Sequence, residues 1–154
     1  MPIFSRFWRH EQTGLSDPER LRVHGPALQV EIGIPSPLAT ALQQAQVQIP
    51  TPHVGLALID TGASITAVDQ AVLQGLGLTP IGVSQVVTPG GQVQQPVYAC
   101  EMTFPGTPIP LLPFNAVIGS QIGLLGYSAL IGRDVLRAFQ LVYNGAEGFW
   151  TLAF

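Results

Sequence analysis

The chain has 154 residues, 47% of them apolar and only 10% charged, with a net charge of −3. That is one domain's length, enough to bury about two-thirds of the unfolded surface without a disulfide or metal staple, and the charged share falls well under the roughly 25% of an average soluble protein. So little charge argues against nucleic acid as a partner and leaves room for an apolar patch that a second subunit would cover.

The only cysteine, Cys100, excludes an internal disulfide framework and a Cys-rich zinc site. His10, His24 and His53 have no mutual ligand spacing, so no metal and no cofactor are expected. Arg6 and Arg9 interrupt the N-terminus too early for a secretory signal, and no apolar run approaches the roughly 18 residues of a membrane span. The expectation is a cytoplasmic protein with no membrane partner.

Seven of the fifteen charged residues (Arg6, Arg9, Glu11, Asp17, Glu19, Arg20, Arg22) fall in the first 24 positions. Residues 1–24 therefore read as an arm ahead of a domain spanning 25–154, either a flexible tail or a pro-segment removed by self-cleavage. From Ala27, Leu28, Val30, Ile32 and Ile34 alternate with Gln29, Glu31 and Gly33, the period of a strand with one buried face, which Pro35 and Pro37 end. Residues 38–48 could form a short helix. The apolar run from Val54 to Ile59 reads as a strand buried on both faces and stops at Asp60-Thr61-Gly62. A two-turn helix follows, with Asp69 as N-cap, Val72, Leu73 and Leu76 as its stripe, and Gly75 or Gly77 as its stop.

Two strand-like runs, 83–87 and 93–104, flank Thr88-Pro89-Gly90-Gly91-Gln92, a hairpin whose glycine tip can flex. On the return strand Tyr98, Cys100, Met102 and Phe104 share one face, so Cys100 reads as a small core residue. After a proline-rich loop come a strand at 114–118, the segment Ala129-Leu130-Ile131-Gly132, a short helix over 134–139, and a closing hairpin. That hairpin joins 140–143 to 149–154 through Asn144-Gly145. Many short strands and one or two short helices indicate an all-β barrel or sandwich.

The chemistry concentrates at Asp60. A carboxylate at the mouth of a core strand is either a turn aspartate capping local amides or a catalytic group. About 70 residues later comes a second pattern, Ile131-Gly132-Arg133-Asp134, which by itself is a helix start with an acid near its positive end.

Together, Leu58-Ile59-Asp60-Thr61-Gly62-Ala63 and Leu130-Ile131-Gly132-Arg133-Asp134 resemble the two motifs of the retropepsin-like, retroviral-type aspartic protease family, over roughly Ala27 to Phe154. The resemblance implies a closed β-barrel and a flap hairpin formed by Val87, Thr88, Pro89, Gly90, Gly91 and Gln92. It also implies a homodimer, obligate or weak, in which Asp60 is the catalytic residue. Thr61, Gly62 and Ala63 would support the active site, and Ile131, Gly132, Arg133 and Asp134 would brace it. Where many viral members carry an acid after the alanine, this chain has Ser64, which removes the expected partner of Arg133.

Hydrolysing a peptide bond near neutral pH needs one group to activate water and another to protonate the leaving nitrogen, and two carboxylates sharing a proton do both. With one Asp-Thr-Gly per chain, the second carboxylate must be Asp60 of another copy, which makes the interface isologous. The expected partners are thus a second copy and a peptide or protein substrate. The alternative is a homodimeric module of the same fold that binds peptides without cutting them.

Overall fold

The computed structural model describes residues 1–88 and 90–154. In chain order the elements are β1 (Ile3–Phe7), α1 (Pro18–His24), β2 (Ala27–Gly33), α2 (Ser36–Gln44), β3 (His53–Ile59), β4 (Ala67–Asp69) and α3 (Gln70–Gly75). They continue with β5 (Gly82–Thr88), β6 (Gly91–Thr103), β7 (Leu112–Ser120), β8 (Ala129–Ile131), α4 (Arg133–Leu136), β9 (Gln140–Asn144) and β10 (Phe149–Ala153). A 3-10 turn at Gly123–Leu125 precedes β8.

The fold is mostly β. Seven strands form a sheet in the order β2-β3-β8-β4-β7-β6-β5, and β2 also pairs with β6 through Glu31↔Thr103 and Gly33↔Glu101, so the sheet turns back on itself. The pairings β3–β8 and β4–β7 are parallel and the rest antiparallel. A second, antiparallel sheet has the order β1-β10-β9.

The alternation expected for β2 holds: Leu28, Val30 and Ile32 are buried while Gln29 is exposed. Each such burial is worth about 1.5–3 kcal/mol. Tyr98, Cys100 and Met102 of β6 line the same core, joined by Phe104, and Trp150 and Leu152 of β10 close it. Burial raises the Cys100 thiol pKa to about 12, reinforced by the charge of Glu101, which fits a core residue and not a nucleophile.

Several expectations are corrected. β3 is not buried on both faces: Val54 and Leu56 are 55% and 41% exposed, because the open face of the strand is covered only towards Ile59. Four short α-helices occur among the described residues, against the one or two expected. Pro37 does not merely end β2; it sits in the first turn of α2, where its missing N–H costs nothing. The helix expected over 134–139 begins at Arg133 and is regular only to Leu136.

In the stretch read as a flexible arm, β1 pairs along β10, and α1 is capped by Asp17, which accepts from the Arg20 amide at 3.0 Å. Leu21 of α1 is fully buried. Arg6 and Arg20 lie over the Trp8 ring at 4.8 and 5.1 Å, and His24 stacks on it at 5.5 Å. Burial, then the nearby Arg20 charge, lowers the Arg6 pKa.

Candidate functional site

The parallel pairing of β3 with β8 sets Ile59 opposite Ile131, so the two sequence motifs leave the sheet side by side. Asp60 is the first residue past β3. Its amide donates to the Ile131 carbonyl at 2.9 Å, fixing where the carboxylate emerges. The chain then turns sharply: the Gly62 amide donates to Asp60 Oδ1 at 2.8 Å and the Ala63 amide to the Asp60 carbonyl at 3.3 Å. The local capping role considered for Asp60 is therefore present, and it occupies one carboxylate oxygen. The residue is half-buried, with Thr61 and Gly62 exposed beside it.

Residues 132–134 hold this turn from behind. The Arg133 amide donates to the Ala63 carbonyl at 2.9 Å and the Asp134 amide to the Ser64 carbonyl at 3.2 Å. Asp134 receives the Thr66 amide at 3.0 Å and the Thr66 hydroxyl at 2.8 Å, while Thr66 Oγ1 accepts from the Gly132 amide at 3.1 Å. Thr66 is fully buried, so its hydroxyl joins the two motifs inside the fold, where an unpaired polar group would cost about 1–3 kcal/mol. Gly132 is required by close approach: a Cβ there would lie 2.7 Å from the Ile65 carbonyl carbon and 2.9 Å from Asp134 Oδ1.

Arg133 answers the question that Ser64 raised. Lacking an acid at position 64, the arginine donates from Nη1 to the Thr61 carbonyl at 2.6 Å. The ion pairs among the described residues are Arg20–Glu11 and Arg22–Glu19, both in the N-terminal stretch. Arg133 is thus committed to the Asp60 turn through both its backbone and its side chain.

The structure brings together Asp60, Thr61, Gly62 and Ala63 with Gly132, Arg133 and Asp134, and it places Ile131 as the strand residue behind them. Sequence reasoning missed Thr66. Its one signal was a hydroxyl inside the otherwise apolar run Ile65-Thr66-Ala67-Val68. The glycine hairpin is separate from this cluster in the chain. Val87 pairs with Gln92 and Thr88 with Gly91, Thr88 Oγ1 donates to the Gly91 carbonyl at 3.0 Å, and Gly91 adopts φ +114°, which favours glycine. Gly90 is exposed; Pro89, also expected in the hairpin tip, lies outside the described residues.

Chemically, the described residues of one chain offer one half-buried carboxylate on this braced turn. Asp134 cannot serve as its partner, because both of its oxygens are engaged by Thr66.

A family model described as aspartyl protease matches residues 45–129, more than half of the chain, and this span includes Asp60 to Ala63 and the hairpin. Among solved structures the chain is similar to the solution structure of Simian Foamy Virus (mac) protease, at a TM-score of 0.44 and 22% identity. That match covers 72% of this chain and 91% of the viral one. No curated protein matches.

Proposed function

Because the chain belongs to the aspartyl protease family, we propose that it is a retropepsin-like aspartic endopeptidase that works as a homodimer, with Asp60 of each copy forming the catalytic pair. The observation that carries this reading is the Asp60 turn: a carboxylate at the mouth of a core strand, one oxygen held by the Gly62 amide, pinned from behind by Arg133 and Asp134. One chain supplies only one such carboxylate.

In the proposed reaction a water between the two Asp60 side chains attacks the peptide carbonyl carbon. One carboxylate takes the water's proton while the other, protonated, donates to the carbonyl oxygen. Collapse of the tetrahedral intermediate breaks the C–N bond, and the nitrogen leaves with a proton from the pair. A hydroxyl of the tetrahedral diol returns its proton to the other carboxylate, so the products are a carboxylic acid and an amine and the pair again holds one proton.

Thr61, exposed on the turn, would brace the two loops against each other across the axis, and Gly62 would let substrate backbone approach. Among the described residues β5 pairs only with β6, so their hairpin is attached along one side, as a flap over a bound peptide requires. Substrate would then lie extended, as an added strand between hairpin and floor. The β2–β6 pairing, which turns the sheet back on itself, supports a closed barrel.

The test compares wild type with Asp60→Asn on a diverse peptide mixture between about pH 4 and about pH 7, at high protein concentration. Cleavage by wild type, lost in a variant that still sediments as a dimer, is the expected result. If neither protein cleaves, the peptide-binding module takes over as the better account.

A further inference from the structure

The stretch read from the sequence as a flexible tail or a removable pro-segment ends in contacts with the strands that carry the two motifs. After α1 the chain runs His24-Gly25-Pro26. The Pro26 carbonyl accepts the amide of Ile59, the residue before Asp60, at 2.9 Å. Gly25, at φ +62°, passes so close to β3 that a Cβ there would lie 2.7 Å from Leu58 Cδ1. The His24 carbonyl accepts the Tyr127 hydroxyl at 2.8 Å, just ahead of β8. We propose that the N-terminal stretch is a permanent clamp on the Asp60 turn, not a segment shed before the enzyme works, and that Tyr127 is the positioning residue through which it acts on the second motif. This inference rests on the reading that Asp60 is catalytic.

The clamp is held firmly at its own base. His24 stacks on the Trp8 ring at 5.5 Å, and Arg6 and Arg20 lie over the same ring. Arg6 also donates to the Ala27 carbonyl at 3.1 Å. The Gly25 amide donates to the carbonyl of the fully buried Leu21 at 2.8 Å, so the exit of α1 is fixed to the core. Shedding the stretch would break the β1–β10 pairing from Ile3↔Ala153 to Phe7↔Phe149. It would also strip Phe4 from the fully buried Trp150, on which it packs edge-on at 5.5 Å.

From Tyr127 the path to the carboxylate is short. The Ser128 amide donates to the Leu56 carbonyl at 2.7 Å, and its hydroxyl shares a hydrogen bond with His53 at 2.9 Å, both partners on β3. β8 then runs beside β3 to Ile131, whose carbonyl holds the Asp60 amide. The clamp thus grips β3 through Pro26 and β8 through Tyr127. The Tyr127 bond is exposed, so water can replace it and its loss costs folding little. Its effect falls on position, because a small displacement of a catalytic group costs rate.

The experiment uses full-length wild type, Tyr127→Phe, Gly25→Ala, and Arg22→Gln as a control on α1, where the arginine pairs with Glu19. Peptide-cleavage kinetics, thermal melting and amide hydrogen exchange over residues 56–62 are measured, with intact mass before and after each assay. Wild type should be active at full mass. Tyr127→Phe should lower kcat about threefold or more, with KM and melting temperature little changed and faster exchange over 56–62. Gly25→Ala should act in the same direction, and Arg22→Gln should match wild type. Tyr127→Phe loses one hydroxyl only, so it decides the matter even if Gly25→Ala fails to fold. The inference is overturned if Tyr127→Phe keeps the wild-type kcat, if only KM changes, or if activity appears only as residues 1–24 are cut away. If full-length wild type cleaves nothing, the catalytic reading falls and exchange alone decides: faster exchange in Tyr127→Phe leaves the clamp standing, and unchanged exchange removes it too.

Discussion

At the scale of single residues, the contact with the most direct bearing on the proposed catalysis is Arg133 to the Thr61 carbonyl. Its guanidinium is exposed, so the bond adds little to global stability, where exposed charged contacts are worth about 1 kcal/mol or less. Its value lies in where it acts, one residue beyond Asp60. Misplacing a catalytic group by about 1 Å can cost on the order of 100-fold in rate. Arg133→Ala keeps the backbone bond to Ala63 but frees Thr61, so kcat should fall about tenfold or more with little change in KM and an unchanged circular dichroism spectrum. Arg133→Lys restores a single donor and should recover part of the loss. An Arg133→Ala enzyme as fast as wild type would show that the other ties hold the turn unaided. The identity of this arginine was visible in the sequence as part of the second motif. Its partner was not, because a backbone carbonyl leaves no trace in the pattern of side chains.

At the scale of elements, Asp69 shows how far local rules reach. Its place as the N-cap of α3 follows from a short polar residue ahead of an apolar stripe, and the side chain accepts from the Ala71 amide at 3.0 Å. The same carboxylate also accepts the Ile122 amide at 3.1 Å and the Gly123 amide at 2.5 Å, tying the loop before β8 to the end of β4. That second role spans more than fifty residues and no local signal announces it. Asp69→Ala strands two loop amides as well as the helix start, so unfolding by denaturant should show a loss of about 2–4 kcal/mol, against about 1 kcal/mol for a cap alone. Asp69→Asn keeps an acceptor and should lose less; equal stability for alanine and wild type would mean that water replaces the carboxylate at the loop.

β1 was hidden for a related reason. Its inward face carries Phe4 and Arg6, opposite Leu152 and Trp150, while Ile3 and Phe7 point outward at 60% and 52% exposure. The alternation that betrays β2 is inverted here, with a cation stacked inside and apolar groups outside, so the stretch reads as a charged arm. β4 escaped because three residues are too few to show a period.

At the scale of the whole molecule, the proposed mechanism calls for two copies through a simple count: it needs two carboxylates, and the sequence holds one Asp-Thr-Gly. It does not say which surfaces meet, because edge strands are defined by the order of strands in a sheet and not by composition. The count still makes a demand that can be tested without knowing the interface. If each active site takes one Asp60 from each copy, Asp60→Asn chains should poison wild type by forming mixed dimers with a single carboxylate. With equal amounts and free exchange, about half of the wild-type chains sit in mixed dimers, so activity per wild-type chain should fall to about half and decline further as the variant is added in excess. Over the same range, wild-type activity per chain should rise with concentration until dimers saturate. Activity unaffected by an excess of Asp60→Asn would mean that each chain works alone, and the second carboxylate would then have to come from within the same chain, where Asp134 is already held by Thr66.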